Sequence, residues 1–266
     1  MTVLVCSDLD RTLIYSANAL GLTGPDAAAP RLLCVETYRN APLSYVLEDA
    51  AAELEALADE TVFVPVTTRT PEQYARVHLL RRPPRYAICA NGGHLLVDGA
   101  DDPGWSAAVR SAAAEGAAPL AEIAERMAAA GDFVLSRRTA ADLFAYAVVD
   151  RAALPDGWLA DLTGWCAERN WRTSLQGRKV YCLPAGLTKA AAAREVAART
   201  GATTLLAAGD SLLDRDLLEA ADHAVRPAHG ELHDTGFAGA DVTAASGVHA
   251  GIEITRWFRR RAGAVE

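Results

Sequence analysis

Lysine is nearly missing from this chain: of 26 basic residues among 266, only Lys179 and Lys189 are lysines. Arginine serves wherever a generic positive charge suffices, so each lysine needs a reason of its own. Cysteine is sparse as well. The five cysteines, Cys6, Cys34, Cys89, Cys166 and Cys182, are odd in number and lack Cys-x-x-Cys spacing, which argues against a disulfide framework or thiolate metal site and leaves reduced core residues. Ligand spacing is also absent from the six histidines; His229 and His233, four apart, read as loop residues rather than a zinc pair. No apolar run approaches the roughly 20 residues that span a bilayer. The N-terminus runs straight into a strand, which leaves no room for a signal peptide, so a cytoplasmic protein is expected. A net charge of −8 argues against the basic face that nucleic acid or an anionic membrane surface requires. Low-complexity tails are missing, and the one charge run, Arg259-Arg260-Arg261, reads as a solvated helix end that complements the macrodipole.

What the chain has instead is polar residues at the ends of apolar runs. Val3-Leu4-Val5-Cys6-Ser7 leads into Asp8-Leu9-Asp10-Arg11-Thr12, a buried strand that delivers two carboxylates to a sheet edge. Thr61-Val62-Phe63-Val64 precedes Val66-Thr67-Thr68-Arg69, and Thr203-Thr204-Leu205-Leu206 precedes Gly209-Asp210-Ser211-Leu212-Leu213-Asp214, with Thr188-Lys189 between them. Each pattern alone has an ordinary reading. Thr67-Thr68 before Pro71-Glu72, and Gly209-Asp210-Ser211 before a helix, suit helix caps. Asp-x-Asp also marks the metal-diphosphate site of nucleotide-sugar glycosyltransferases, but there a nucleotide-binding unit precedes the pair, and here only seven residues do. Co-occurrence decides, because ligands of open α/β sheets bind outside the carboxyl ends of the strands.

Three polar strand ends, two of them acidic, and one lysine suit a magnesium-dependent phosphoryl-transfer site. A phosphate monoester is a dianion, so a carboxylate attacks it only where cations cancel the repulsion. Asp8 is the expected nucleophile, forming an aspartyl-phosphate, and Asp10 the acid and base for leaving group and water. Mg2+ takes hard oxygen ligands; Asp8 and Asp210 fit as the carboxylates, with Asp10 completing the metal set. Thr67 offers a hydroxyl and a backbone N–H to a phosphate oxygen, and Lys189 a compact point charge where a guanidinium is too large. A lysine at a helix N-terminus opposes the macrodipole and therefore needs such a purpose. Asp214 is placed to hold Lys189 or a metal-bound water, with Thr12 and Ser211 as further support.

Strands are expected at 2–7, 61–66, 86–90 and 203–208, separated by alanine-rich helices at 47–59, 71–80, 188–200 and 212–221. That alternation implies an α/β fold with a doubly wound, mainly parallel sheet. The run 31–46 reads as a small hairpin overhanging the site. About a hundred residues beyond one βα unit separate Thr67 from Lys189, enough for an inserted domain. Its pattern is helix 106–129, strands 132–137 and 143–149, helix 156–169, strands 171–175 and 178–183, an α+β lid of αββαββ type.

These motifs, in this order, resemble those of the haloacid dehalogenase superfamily of phosphatases and phosphotransferases. The family pattern Asp-x-Asp-x-Thr corresponds to Asp8, Asp10 and Thr12, its Ser/Thr to Thr67, its Lys to Lys189, and its Gly-Asp-x-x-x-Asp to Gly209, Asp210 and Asp214. The stretch from Ala221 to Gly247 is similar to the closing strands and helix of the branch with sucrose-phosphate and mannosyl-phosphoglycerate phosphatases. Arg11 stands where a glycine is common, and Leu213 where that branch often has asparagine. The resemblance implies a Rossmann-like core at 1–98 and 184–266, a cap at 99–183, Mg2+ as cofactor, and a small phosphorylated metabolite, a sugar phosphate by preference, as substrate. A monomer or homodimer is expected. Substrate choice falls to the lid, with Arg178 and Lys179 as candidate contacts, Arg137 and Arg138 at a hairpin bend, and Thr68, Arg69, Asn91 and Gly92 from the core. Asn91-Gly92-Gly93 reads first as the turn into the lid. Two other functions stay open: a phosphomutase or phosphotransferase of the same fold, and a regulatory binding protein with an idle site.

Overall fold

The computed structural model describes residues 2–264. In chain order, β1 (Val3–Ser7) runs into the Asp8–Asp10 loop, and the hairpin β2 (Leu32–Tyr38) and β3 (Ala41–Leu47) follows. Arg39 and Asn40 take φ of 52° and 61°, the left-handed pair of a two-residue hairpin turn. Next come α1 (Glu48–Glu60), β4 (Val62–Pro65), the single turn α2 (Pro71–Tyr74), and an antiparallel meander of β5 (Tyr86–Cys89), β6 (His94–Val97) and β7 (Ala100–Asp101). Then come α3 (Pro103–Ala114), α4 (Leu120–Ala128), β8 (Val134–Ala140), β9 (Phe144–Val149), α5 (Trp158–Ala167), β10 (Trp171–Gln176) and β11 (Lys179–Pro184). The chain returns through α6 (Lys189–Thr200), β12 (Thr204–Ala208), α7 (Arg215–Ala220), β13 (His223–Arg226), α8 (Glu231–Asp234), β14 (Asp241–Val242) and α9 (Val248–Gly263).

The main sheet is parallel, in the order β14-β13-β12-β1-β4, and a parallel bridge from Val66 to Ile88 attaches β5. Its strands are apolar on both faces because both faces are covered. Leu4, Cys6, Val64, Leu205 and Ala207 pack against Ala192, Val196 and Leu217 from α6 and α7. Their alternates Val5, Phe63, Leu206 and Ala208 pack against Leu54 and Leu57 of α1 and Ile254 and Phe258 of α9. Leu54 and Leu57 are fully buried at 1% and 0% exposure, each contributing roughly 2 kcal/mol of transfer free energy. The wound order leaves β1 central, with β4 on one side and β12 on the other. Its carboxyl end is the switch point where such sheets open a crevice.

β8 to β11 form a separate antiparallel sheet, in the order β10-β11-β9-β8, with α4 and α5 packed on one face. Val148, Lys179 and Tyr181 on the other face look across a cleft to the carboxyl ends of the parallel strands. Among the described residues no helix is long and apolar enough to cross a membrane.

Three helices differ from their expected lengths, each for a local reason. The helix expected at 71–80 stops after one turn, because Val77 bridges Glu36 and the His78 N–H donates to the Val35 carbonyl, which commits that backbone to the hairpin. The helix expected at 106–129 divides at Glu115–Pro119, where Gly116 takes φ of 69° and Pro119 begins the next helix. The helix expected from 212 starts at Arg215, because the Asp214 carboxylate accepts the backbone N–H groups of Asp210 and Ser211 and winds that stretch around itself. Asn91-Gly92-Gly93 is not the turn into the inserted region. It connects β5 to β6, with Asn91 and Gly92 at φ of 59° and 99°. The bend between β8 and β9 falls at Ala141 and Asp142, so Arg137 and Arg138 lie along an edge strand rather than at the bend.

Candidate active site

Asp8 is the first residue beyond β1, and its N–H donates to the Ala208 carbonyl at 2.9 Å, which fixes the carboxyl group at the sheet edge. Its Oδ2 accepts from Thr12 Oγ1 at 3.1 Å and its Oδ1 from Lys189 Nζ at 2.7 Å. Lys189 opens α6 and is fully buried; Thr188 caps the helix by accepting from the Ala191 N–H. The second partner of Nζ is Asp214 Oδ1, so two carboxylates offset an ammonium that the helix dipole alone would disfavour. Asp214 Oδ2 gathers the N–H groups of Asp210 and Ser211 and the Ser211 hydroxyl, at 3.2, 2.9 and 2.7 Å.

Asp210 follows β12, and its carboxylate meets those of Asp8 and Asp214 within 4.8 Å. The neighbouring chain can pass only as glycine: a Cβ on Gly230, at φ of 90°, would lie 2.7 Å from Asp210 Oδ2. Burial pushes Asp8 up to about 7, with repulsion from Asp214 adding to it and Lys189 opposing. Asp210 is likewise held well above the usual carboxylate range by burial and by Asp8 and Asp214, against Arg11 and Lys189. Burial alone would lower Lys189, yet Asp214 and Asp8 outweigh it and raise the ammonium above its ordinary value. Three buried hard-oxygen donors with too little positive charge between them fit a divalent ion such as Mg2+, which would relieve the repulsion that raises Asp8 and Asp210.

Asp10 is turned away from that cluster. Its carboxylate is gripped by Arg69, Nε to Oδ2 at 2.7 Å and Nη2 to Oδ1 at 2.8 Å. Burial raises Asp10, but Arg69, with Lys179 and Lys189, outweighs it and holds the carboxyl below its usual range. Arg69 in turn reaches Glu36, a fully buried side chain of the hairpin that Ser44 and Arg76 also hold. Glu36 follows another buried residue, Val35, because irregular register beside it breaks the alternation of β2.

Thr67 is buried beside Asp8's loop, its hydroxyl accepting from the Arg69 N–H at 3.2 Å, while Thr68 lines the cleft. Arg178 and Lys179 line the cleft as well, from the turn between β10 and β11. Asn91 and Gly92 do not reach it: Asn91 Nδ2 donates to the Leu187 carbonyl, and a Cβ on Gly92 would lie 2.3 Å from the Thr188 carbonyl. They brace the approach to Lys189. Arg137 instead donates to the Ala128 carbonyl. Sequence reasoning missed Glu36, Gln176 and Glu231, and set His229 aside. Gln176 Nε2 donates to Ser211 Oγ at 2.7 Å, and His229 Nε2 to the Arg11 carbonyl at 2.8 Å. The available signal was His229-Gly230-Glu231 following a strand end, a polar run with no cap pattern to explain it.

The cleft between the two sheets has a volume of about 390 Å3, with Asp10, Asp210 and Arg69 on one wall and Gln176, Arg178, Lys179 and Tyr181 on the other. A slightly larger cavity, about 430 Å3, opens at the amino ends of β4 and β5, away from Asp8 and Lys189, and brings none of these groups together.

No family model matches the chain, and no curated protein does. Solved structures do. A sucrose-phosphatase from Synechocystis sp. PCC6803, solved with sucrose and phosphate, is similar at 17% identity and a TM-score of 0.65, over 97% of this chain and 99% of that one. A phosphatase of the haloalkanoate (HAD) superfamily from Bacteroides thetaiotaomicron is similar at 14% and 0.55, over 97% and 96%. This is the haloacid dehalogenase fold. A Thermoplasma acidophilum protein is similar to this chain at 16% identity and a TM-score of 0.61, over 97% of this chain and 99% of its own. Within the haloacid dehalogenase fold of this chain, Asp8, Lys189, Asp210 and Asp214 meet at the carboxyl end of the central strand.

Proposed function

We propose that the protein hydrolyses the phosphate monoester of a small metabolite, a sugar phosphate by preference, through an aspartyl-phosphate on Asp8. One observation carries this reading: a fully buried lysine joins Asp8 to Asp214 beside Asp210, at the mouth of a cleft roofed by a second sheet. Asp8 and Asp210 would hold Mg2+, which would supply the positive charge that lets one anion approach another, while the Asp10 carboxylate stays with Arg69. Lys189 keeps Asp8 oriented and shares the charge of the transferring group. Thr67 and Thr68 offer donors to the phosphoryl oxygens. Asp10, aimed by Arg69, protonates the leaving oxygen, and then takes a proton from the water that attacks the phosphorus and releases Asp8. Ser16, Asn18, Ser44 and Gln176 line the cleft with hydroxyl and amide groups suited to a polyhydroxylated substrate, and Arg178 and Lys179 supply cations for its charge. The likeness to a sucrose-phosphatase supports the sugar preference. A cytoplasmic setting accords with Cys166 and Cys182 as free thiols, the Cys166 Sγ donating to the Cys182 Sγ at 3.9 Å.

Phosphate release from a panel of sugar phosphates and an aryl phosphate, with and without Mg2+, tests the reading. Asp8→Asn should abolish release, and an unchanged rate in that variant rejects the mechanism. Trapped phosphoenzyme that passes its phosphoryl group to a second sugar rather than to water would make the protein a phosphotransferase instead.

A further inference from the structure

Arg11 occupies a backbone position that favours glycine. Its φ is 66°, a left-handed conformation costing a side chain about 1–2 kcal/mol. The loop imposes that conformation from both sides: the Arg11 N–H donates to the Ile14 carbonyl at 2.8 Å, and its carbonyl accepts from His229 Nε2 at 2.8 Å. What the position gains by not being glycine is therefore the side chain alone. That side chain makes one hydrogen bond to protein among the described residues, Nε to Asp210 Oδ2 at 3.2 Å, so neither Nη group is committed to protein. The Asp210 side chain is 6% exposed and that of the arginine 36%, and Arg11 lines the cleft between the sheets and a second cavity that shares Gln176, Arg178 and Asp210 with it. A guanidinium thus sits against a proposed metal ligand with most of its donor fork free, and such a fork matches two phosphate oxygens.

We infer that Arg11 competes with the divalent cation for Asp210 and releases that carboxylate when a phosphate group arrives to take the guanidinium. The inference rests on the proposed metal site and adds a coupling that the site alone lacks. With no phosphate in the cleft, Arg11 partly neutralises Asp210 and weakens metal binding. With phosphate present, its fork moves to the phosphate oxygens and Asp210 is free for the metal. Metal and phosphate then strengthen each other beyond their direct contact, and by linkage the factor is the same in both directions. An arginine serves here where a lysine would not, because one planar group must exchange between a carboxylate and a phosphate without losing its charge.

Titration calorimetry of Mg2+ into the metal-free protein, with and without saturating inorganic phosphate, tests this. Arg11→Gly and Arg11→Asn are the variants, since both residues accept positive φ and both remove the charge. Phosphate-free Mg2+ affinity should rise by roughly tenfold in both variants, and the enhancement produced by phosphate should shrink by a similar factor, within the usual span of coupling energies. Phosphate should also bind more weakly to the variants in the absence of metal. Unchanged or weaker Mg2+ binding in the variants, or an undiminished phosphate enhancement, overturns the role of Arg11 and leaves the proposed hydrolase standing. A wild-type protein that binds no Mg2+ under either condition overturns both.

Discussion

Arg69 and Asp10 face each other through two parallel hydrogen bonds of 2.7 and 2.8 Å, and Glu36 holds the same guanidinium from behind at 2.8 Å. The proposed acid is therefore aimed by a fork whose own position is set by the hairpin. A lysine retains the charge but not the two-point geometry. Arg69→Lys should lower kcat for an aryl phosphate by about 10- to 100-fold, the cost of misplacing a catalytic group by about 1 Å. Steady-state kinetics provide the check, and a kcat within twofold of wild type would remove the fork from the mechanism.

Lys189 and Lys179 are the only lysines, and they should respond unequally to removal of charge. Lys189 is fully buried between Asp8 and Asp214. Lys189→Met leaves both carboxylates without their cation and should cost about 3–5 kcal/mol, as breaking a buried pair does. Lys179 is exposed, near the Tyr146 ring at 5.9 Å, with no carboxylate within salt-bridge distance among the described residues. Lys179→Met should shift the urea midpoint little and raise KM for a sugar phosphate. Equal losses of stability in the two variants would contradict the burial argument.

The parallel core was legible from its apolar runs, Asp8 and Asp210 because each follows such a run within two residues, and Lys189 because lysine is so scarce in this chain. Glu36 was not legible. It is an acid inside a strand-like stretch, and only an irregular register and an arginine 33 positions further along make it a buried partner. Helix ends failed for a related reason. The periodicity of 71–80 is helical, but hydrogen bonds to the hairpin outcompete it after Tyr74. Arg11 shows the limit most plainly, since the sequence reveals an arginine in a glycine position but not the carboxylate 199 residues away that it meets.

His229 should give the fold a sensitivity to mild acid. Its Nδ1 accepts from the Gly247 N–H while Nε2 donates to the Arg11 carbonyl, so only the neutral ring satisfies both. Burial, reinforced by Arg11 and His233, pushes its pKa below the ordinary imidazole value, with the bond to the Arg11 carbonyl opposing. The unfolded chain therefore takes up the proton first as pH falls. Stability from this group is complete above the ordinary imidazole value and is lost as pH falls through the lower folded value. Thermal melts from about pH 7.5 to about pH 5 should show a steeper loss in the wild type than in His229→Gln, whose amide keeps one donor and one acceptor without titrating there. Parallel curves would assign the acid sensitivity to other groups.

Glu231 ties the inserted sheet to the core. Its Oε1 accepts from the Leu175 N–H at 2.7 Å, and its Oε2 accepts from the Leu212 N–H at 3.1 Å and from the Ser174 hydroxyl. β10 is an edge strand, and an edge N–H that finds no partner must be covered or solvated. Here a core carboxylate covers it, and Gln176 to Ser211 and Arg172 to Asp216 add two further links from the same strand. The turn carrying Arg178 and Lys179 follows directly, so the position of β10 sets how closely those cations approach Asp10. Glu231→Ala removes all three accepted bonds, charge-assisted and worth about 1.5–3 kcal/mol each at most. Amide hydrogen exchange should quicken at Leu175 and Leu212 while the buried amides of Ala192 and Ala193 in α6 stay protected. KM for a sugar phosphate should rise by more than kcat falls, with Glu231→Gln intermediate because it keeps one accepting oxygen. Exchange that quickens uniformly through α6 as well would mean that Glu231 supports the whole fold rather than the placement of β10.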